Sequence, residues 1–171
     1  LIEEVEKSGK IYMYAENYCY MRHTFEMWRR YKNGEIGKVQ YAEGEYIHDC
    51  SAIWPSITYG ERNHWRNLLT PTFYCTHSLG PLLTVLSEDL RYVTCMGTGE
   101  HGPREEYTPG VRKDDMSCAM FQTESGVVVR LMRNGRCRAK IGHHNYRVFG
   151  TQGYMERIDR FGKPVIRYNS Q

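Results

Sequence analysis

The spacing of apolar and polar positions divides the chain into a first half with helices and a second half of short strands. Residues 39–50 alternate, which predicts a long strand with Tyr46 and His48 on one face. After position 90, short apolar runs between turn residues predict a series of further strands. These strands are expected at residues 90–97, 116–123, 127–133, 136–141, 145–149, 153–158 and 165–168.

Helical spacing is confined to three stretches of the first half. Residues 1–7 have it before Ser8-Gly9, and residues 18–32 place Tyr18, Met21, Phe25 and Trp28 on one stripe. A third helix is expected over 79–86, with Pro81 in its first turn and Thr76 or Ser78 as its cap. Residues 11–15 predict a short strand, residues 51–70 predict a long loop with at most a short helical turn, and residues 98–113 predict a second loop.

This order of elements predicts an α+β fold. We expect a large, mainly antiparallel sheet with helices packed on one face, formed by a single domain over residues 1–171. The other face is left open for a second subunit, a further domain or a substrate. Because the chain starts inside helical spacing, we interpret residues 1–9 as the end of a helix that continues from a missing N-terminal domain.

Composition narrows the classes of partner. The chain has 171 residues, 40% of them hydrophobic and 25% charged, and its net charge of +3 is interspersed, which disfavours nucleic acid and anionic membrane as partners. No apolar run reaches the length of about 18 residues that a membrane helix needs. Six scattered cysteines without a CxxC pair predict reduced, mostly buried thiols in a cytoplasmic protein with no bound metal.

Candidate chemistry centres on His77, at the mouth of the third predicted helix. The positive end of the helix dipole disfavours imidazolium, so we expect a neutral ring that can accept a proton, although a purely structural histidine is the simpler alternative. Other groups suited to a polyhydroxylated ligand lie elsewhere in the chain, with the indoles adding stacking area. They are Glu16-Asn17 with Tyr20, the pair Tyr46 and His48, the run His143-His144-Asn145-Tyr146, and the indoles of Trp54 and Trp65.

Three segments carry a resemblance to a known family. They are AENYCYMRHTFEMWRRYKNGEIGKVQYAEGEYIHDCS, FYCTHSLGPLL and VFGTQGYME. Together they resemble the C-terminal domain of the Gfo/Idh/MocA oxidoreductases, in particular the NAD-dependent, α-N-acetylgalactosaminidase-like glycosidases. In that branch the second segment reads Tyr-Pro-Thr-His-Gly-Leu-Gly-Pro, so this chain differs at Cys75 and Ser78 and keeps His77.

The resemblance implies that the chain supplies the substrate side of a cleft. NAD or NADP would be bound mainly by a missing N-terminal Rossmann domain, because nothing in the chain matches a G-x-G-x-x-G turn between a strand and a helix. It also implies a sugar or sugar-derivative substrate and a homo-oligomer formed through the open sheet face. The candidate catalytic residues are His77, Tyr46 and Tyr146, the last on a weaker match, and the candidate substrate-binding residues are Glu16, His48, Tyr20 and Trp65.

Three functions remain open at this point. In a sugar dehydrogenase, His77 would hold the proton of a sugar hydroxyl while the nicotinamide takes the hydride. In an NAD-dependent glycosidase, transient oxidation at C3 would acidify the C2 proton and allow elimination, which needs a further base among Tyr146, Tyr46 and His48. The third alternative is a non-catalytic oligomerisation or binding module. Under either enzyme hypothesis, we expect the chain alone to be inactive.

Overall fold

A single seven-stranded sheet organises the chain. The structure, a computed structural model, describes residues 1–99, 115–135, 137, 143–160 and 163–170. The strand order is β2-β3-β4-β1-β5-β6-β7, with β1 parallel to β4 and every other neighbouring pair antiparallel. The mainly antiparallel α+β prediction is therefore confirmed. The strands are β1 (Val39–Ile47), β2 (Leu90–Gly97), β3 (Met116–Thr123), β4 (Val128–Asn134), β5 (His144–Gly150), β6 (Gly153–Arg160) and β7 (Lys163–Ser170).

The helices of the described residues are α1 (Ile2–Ser8), α2 (Arg22–Lys32), α3 (Trp54–Ile57) and α4 (Thr76–Leu86). Helices α2 and α4 pack together on one face of the sheet, where α4 lies across β1 and β5. Gly44 permits this approach, because a Cβ atom there would lie 2.8 Å from the backbone oxygen of Ser78. Apolar side chains fill the space between, among them Met27, Ile36, Ala42, Leu82, Val85, Leu86, Val129 and Val148.

The other face of the sheet carries a network of ion pairs. Glu43 on β1 accepts hydrogen bonds from Arg130 on β4 (3.0 Å) and Arg147 on β5 (2.5 Å). Arg130 also reaches Glu45 at 3.1 Å, and Arg147 reaches Glu156 on β6 at 3.4 Å. Period-2 alternation in β1 therefore sends Glu43 and Glu45 to this face, together with Tyr41, whose hydroxyl donates to Glu43. It sends Ala42, Gly44 and Tyr46 towards the helices.

Two early predictions are wrong. Residues 11–15 are not a strand; they are extended and exposed, since no described strand pairs with them. Residues 18–32 are not one helix: a 3₁₀ turn, Asn17–Tyr20, precedes α2. The buried side chains of α2 are Thr24 and Met27, and Trp28 packs against the core, whereas Phe25 is 61% exposed.

Smaller differences concern element ends and cysteines. Strand β1 stops at Ile47, and the 51–70 loop contains α3 and 3₁₀ turns. Pro81 lies inside α4 rather than in its first turn, and no side chain caps that helix. All six cysteines are free, but none is fully buried, so that part of the prediction is wrong. The predicted strand 136–141 and most of the loop 98–113 lie outside the described residues.

Candidate active site

The end of β1 presents a linked tyrosine and histidine. The hydroxyl of Tyr46 lies 2.7 Å from Nδ1 of His48. Burial raises the pKa of Tyr46 well above its ordinary value, and the nearby Arg133 charge only partly opposes this shift. Burial, His143 and Arg133 lower the pKa of His48. A protonated phenol therefore donates to a neutral imidazole. The two side chains share one face of the sheet, as the alternation predicts.

Pro81 creates the link between α4 and the sheet. Because proline has no N–H, the carbonyl of His77, four residues earlier, has no helical donor. The hydroxyl of Tyr146 on β5 donates to that carbonyl at 2.5 Å. Tyr146 is 1% exposed, and burial raises its pKa above the ordinary value, so its hydroxyl is protonated and occupied as a donor. Its contact fixes the first turn of α4 against the sheet.

A chain of hydrogen bonds runs through the His77 ring. Nδ1 of His77 lies 2.6 Å from Oε1 of Glu16, the residue that also caps the 3₁₀ turn by accepting from the Tyr18 amide at 3.1 Å. Nε2 lies 2.9 Å from the hydroxyl of Tyr74. A carboxylate can only accept, so Glu16 holds the proton on Nδ1 and leaves Nε2 as the basic nitrogen facing Tyr74.

Gly80 lets Glu16 approach the helix closely enough for this bond. A Cβ atom at Gly80 would lie 2.8 Å from Sγ of Cys19 and 3.2 Å from Cγ of Glu16. The 3₁₀ turn and α4 thus touch at a position where only glycine fits without movement. This packing delivers the carboxylate to Nδ1 of His77 from a residue 61 positions away in the chain.

His144 lies between the Tyr46–His48 pair and the hydrogen-bond chain through His77. Its ring lies 3.9 Å from the ring of Tyr18 and stacks on Tyr46 at 4.4 Å, centroid to centroid. Burial, with the charges of His77 and Arg157, lowers its pKa to about 2, so it is neutral near pH 7. The rings of Tyr46 and His77 are 5.3 Å apart. Tyr46, His48 and His77 therefore meet in one cluster, which we call the Tyr46–His77 cluster, with the partly exposed Tyr74 at its edge.

Comparison with known proteins shows what the chain is similar to. No family model matches the chain. A glycosyl hydrolase family 109 protein from Saccharopolyspora erythraea is 30% identical over 177 residues, which cover 91% of this chain and 38% of that protein. The structure of an oxidoreductase described as putative, from Erwinia carotovora atroseptica, covers 99% of this chain and 51% of its own with a TM-score of 0.72 at 18% identity.

An inositol dehydrogenase homologue from Azotobacter vinelandii, complexed with NADH and myo-inositol, superposes with a TM-score of 0.61 at 15% identity over 90% of this chain and 41% of its own. The chain has the fold of the C-terminal domain of the Gfo/Idh/MocA oxidoreductases. It spans about half or less of the length of the relatives it matches. Family 109 proteins among the relatives agree with the glycosidase-like branch that the sequence resembles.

Within this Gfo/Idh/MocA fold, two of the predicted substrate-binding residues stand apart from the cluster. Tyr20 is 70% exposed and lines a cavity of about 570 Å³ between α2 and α4, together with Phe25 and Trp28. Trp65 is exposed in the 51–70 segment, where Arg66 lies 4.6 Å from its ring. Their roles in substrate binding stay predictions, while Glu16, His48 and His77 lie together as predicted.

Three members of the Tyr46–His77 cluster were not predicted from the sequence to have a role in the site. Tyr74 precedes His77 by three residues, a helical spacing that could have flagged it. His144 was part of a recognised run but had no assigned role. Tyr18 reaches both His77 and His144 only because the 3₁₀ turn bends the chain at that point, and local spacing gives no sign of that bend.

The described residues do not provide a nucleotide site by themselves. A Rossmann phosphate site needs a glycine-rich turn from a strand into a helix, and each described strand that a helix follows lacks such a turn. The groups at hand are hydroxyl, imidazole and carboxylate groups suited to a sugar rather than to a pyrophosphate. No described helix is long and apolar enough to cross a membrane, and metal binding remains untested.

Proposed function

We propose that this chain forms the substrate side of the cleft of an NAD(P)-dependent oxidoreductase that acts on a sugar or sugar derivative. The observation that carries this proposal is the Glu16–His77–Tyr74 hydrogen-bond chain beside the Tyr46–His48 pair. A base whose tautomer is fixed by a carboxylate is suited to take the proton of a sugar hydroxyl. The inositol dehydrogenase homologue, which binds a polyol and NADH, supports the substrate class and the cofactor.

His77 would hold the proton that the substrate hydroxyl loses. The hydroxyl would reach Nε2 directly, in place of Tyr74, or pass its proton through the Tyr74 phenol. Glu16 would stabilise the imidazolium that forms, since it already accepts from Nδ1. NAD or NADP, held mainly by residues outside the described ones, would accept the hydride from the same carbon atom.

The remaining site residues would orient the sugar. Tyr46 and His48 present a donor–acceptor pair to neighbouring hydroxyls. Tyr146 would act as a positioning residue rather than a catalytic one, because its buried hydroxyl is committed to the backbone of His77. Trp65 would add a stacking surface if the 51–70 segment closes over the ligand, and Tyr20 would need a similar rearrangement.

A second candidate is a glycosidase that oxidises C3 transiently. The family 109 relative favours it. In this scheme bound NAD would take the hydride of C3 while one base takes the proton of the C3 hydroxyl. A second base would remove the C2 proton, and the aglycone would leave C1 with a proton donated by an acid of the site. Water then adds across the resulting double bond and the hydride returns to C3. Two neighbouring proton-transfer systems, Glu16–His77–Tyr74 and Tyr46–His48, supply the two bases that this sequence of steps requires.

Three further aspects belong to the proposal. We expect a homo-oligomer formed through the ion-paired sheet face, a cytoplasmic location, and no activity from this chain in isolation. A purely oligomeric module without catalysis is the remaining alternative. It is disfavoured by the linked Glu16, His77 and Tyr74, which a packing domain does not need.

The test uses the full-length protein that carries this chain, with NAD or NADP, on a panel of free sugars, polyols and aryl glycosides. Stoichiometric NADH from a free sugar supports the dehydrogenase. Aglycone release with solvent deuterium incorporated at C2 supports the glycosidase. The His77→Ala variant should lose most of either activity. Absence of any nucleotide binding and turnover would favour the non-catalytic module.

A further inference from the structure

A buried guanidinium lies beside the Tyr46–His77 cluster without a charged partner. Arg133 on β4 is 7% exposed, and its guanidinium carbon lies 4.4 Å from the centroid of the Tyr46 ring. Nη1 donates to the backbone oxygen of Asn134 and, at 3.5 Å, to that of Tyr46. Among the described residues, the hydrogen-bond partner of Nη2 is Sγ of Cys50, at 4.0 Å, and Nε has none.

Other arginines of the described sheet are paired. Arg130, three residues earlier on the same strand, bonds to Glu43 and Glu45, and Arg147 bonds to Glu43 and Glu156. No described carboxylate forms an ion pair with Arg133. Burying a charge without a counter-ion is costly, so a bound anion would stabilise the Arg133 guanidinium.

The free edge of Arg133 has the shape that a carboxylate fits. Nε and Nη2 form the side-on fork of the guanidinium, and two parallel N–H bonds from it match the two oxygens of one carboxylate. Cys50, which lies 3.6 Å from Nδ1 of His48, separates this edge from the His48 ring. A ligand in contact with Tyr46 and His48 would therefore have Arg133 as its next neighbour.

Asp49 is the carboxylate that acts on His48 on this side, and its effect on the pKa of His48 is smaller than that of Arg133. His48 is neutral, because burial lowers its pKa. The positive charges of Arg66 and Arg133 both lower the pKa of the Tyr74 hydroxyl, against the larger effects of burial and Glu16, and Arg66 forms no ion pair with a described carboxylate. Glu16 is committed to His77 and the Tyr18 amide. The local charge is thus positive, which favours an anionic over a neutral ligand.

We propose that Arg133 forms an anion subsite of the cleft that receives the carboxylate of an acidic sugar, such as a uronic acid or its glycoside. This inference rests on the proposed function and specifies its substrate class. Cys50 is the group that must shift to admit the carboxylate, because it alone contacts Nη2. One bound carboxylate would compensate the single buried charge, whereas a phosphate dianion would leave an excess negative charge.

The test compares matched acidic and neutral sugars. With the full-length protein and its cofactor, kcat/KM is measured for D-glucuronate against D-glucose and for D-galacturonate against D-galactose. The acidic member of a pair should be preferred. Arg133→Gln should lower its kcat/KM by about 10- to 100-fold, the range expected for lost hydrogen bonds to a charged group, and leave the neutral sugar nearly unchanged.

Two further variants guard against a folding effect. Arg133→Lys keeps the charge without the fork and should lose part of the preference for the acid, so it decides the matter if Arg133→Gln does not fold. Arg130→Gln removes a guanidinium from the other face of the same strand and should keep the preference. Equal losses on acidic and neutral sugars in the Arg133 variants would overturn the proposal, as would a preference for glucose 6-phosphate over glucuronate.

A binding measurement separates this inference from the proposed function. If no sugar is turned over, the proposed function fails, but glucuronate should still raise the Tm of the protein more than glucose does, and Arg133→Gln should abolish that difference. Turnover of neutral sugars alone, with no Tm shift by glucuronate, would leave the proposed function standing and overturn the anion subsite.

Discussion

At the scale of single residues, the tautomer of His77 decides what the cluster can do. Glu16 is the group that fixes it, because a carboxylate accepts the Nδ1 proton and keeps Nε2 basic. Orienting partners of this kind are typically worth 10- to 100-fold in activity. We therefore expect Glu16→Gln, which can donate to Nδ1 and stabilise the wrong tautomer, to lower kcat by about that factor.

The measurement is a pH profile of kcat for wild type and Glu16→Gln in the full-length protein. The kcat of Glu16→Gln should lie below that of wild type over the whole profile, because the substituted amide can donate to Nδ1 and favour the other tautomer. Glu26→Gln serves as the matched control, because Glu26 pairs only with Arg29, Arg30 and α2 surroundings. An unchanged profile in Glu16→Gln would remove the carboxylate from the mechanism.

Buried neutral histidines also make stability depend on pH. Burial lowers the pKa of His144 to about 2 and that of His23 to about 4, against 6.5 in the unfolded chain. Below pH 6.5 the unfolded state binds protons that the folded state does not, so stability is full above 6.5 and falls as pH decreases towards 4. The slope should approach at most about 2.7 kcal/mol per pH unit for two groups.

Urea unfolding at pH 7, 6 and 5 measures this slope. Glu43 and Glu26 stay ionised over most of this range, because their arginine partners lower their pKa values. His23→Gln should reduce the slope by up to half, whereas replacing the exposed Lys7 by Gln should not affect it. A free energy of unfolding that does not change between pH 7 and 5 would contradict the neutral state of both rings.

At the scale of elements, the close crossing of α4 over β1 sets the position of His77. Gly44→Ala would place a methyl group 2.8 Å from the Ser78 backbone oxygen, a group that cannot rotate away. We expect this change to cost about 1–3 kcal/mol of stability, as overpacking does. It should also weaken substrate binding, because α4 carries the histidine.

Thermal and urea unfolding of Gly44→Ala measure the loss. Gly135→Ala is the matched control, since a Cβ atom there meets nothing closer than side-chain atoms of Arg133 at 3.5 Å. A Gly44→Ala protein as stable as wild type would mean that α4 does not press on β1 as closely as this distance requires.

The sequence was informative wherever one element explained a pattern by itself. Alternation in residues 39–50 gave the correct faces of β1, and the apolar run 79–86 predicted most of α4, which starts three residues earlier, at Thr76. It failed where tertiary contacts decide. Residues 11–15 have strand-forming side chains but no described partner strand, and the break at Met21 depends on Glu16 capping a 3₁₀ turn. The role of Arg133 could not be predicted locally, because its neighbour Tyr46 is 87 positions away in the chain.

At the scale of the whole molecule, we proposed that the homo-oligomer forms through the ion-paired face of the sheet. Its charges already compensate each other: Glu43 is held by Arg130 and Arg147, and Glu45 by Asn145 and Arg130. A face whose charges are paired within one chain can be covered by a second copy at a lower desolvation cost than a face with unpaired charges. Phe149 and Met120 add partly exposed apolar area to it.

Reversing the charge at Glu43 tests this surface. Glu43→Arg would bring three guanidinium groups together beside Arg130 and Arg147, so each copy would present an uncompensated positive patch and the oligomer should dissociate. Sedimentation velocity of the full-length protein measures the change, with circular dichroism to verify that the variant folds. The control is Glu124→Arg, which alters a pair with Arg91 at the far end of the sheet and should leave the oligomer intact. A wild-type protein that sediments as a monomer at micromolar concentration would exclude this face as a stable interface, and a folded Glu43→Arg oligomer would place the contact elsewhere.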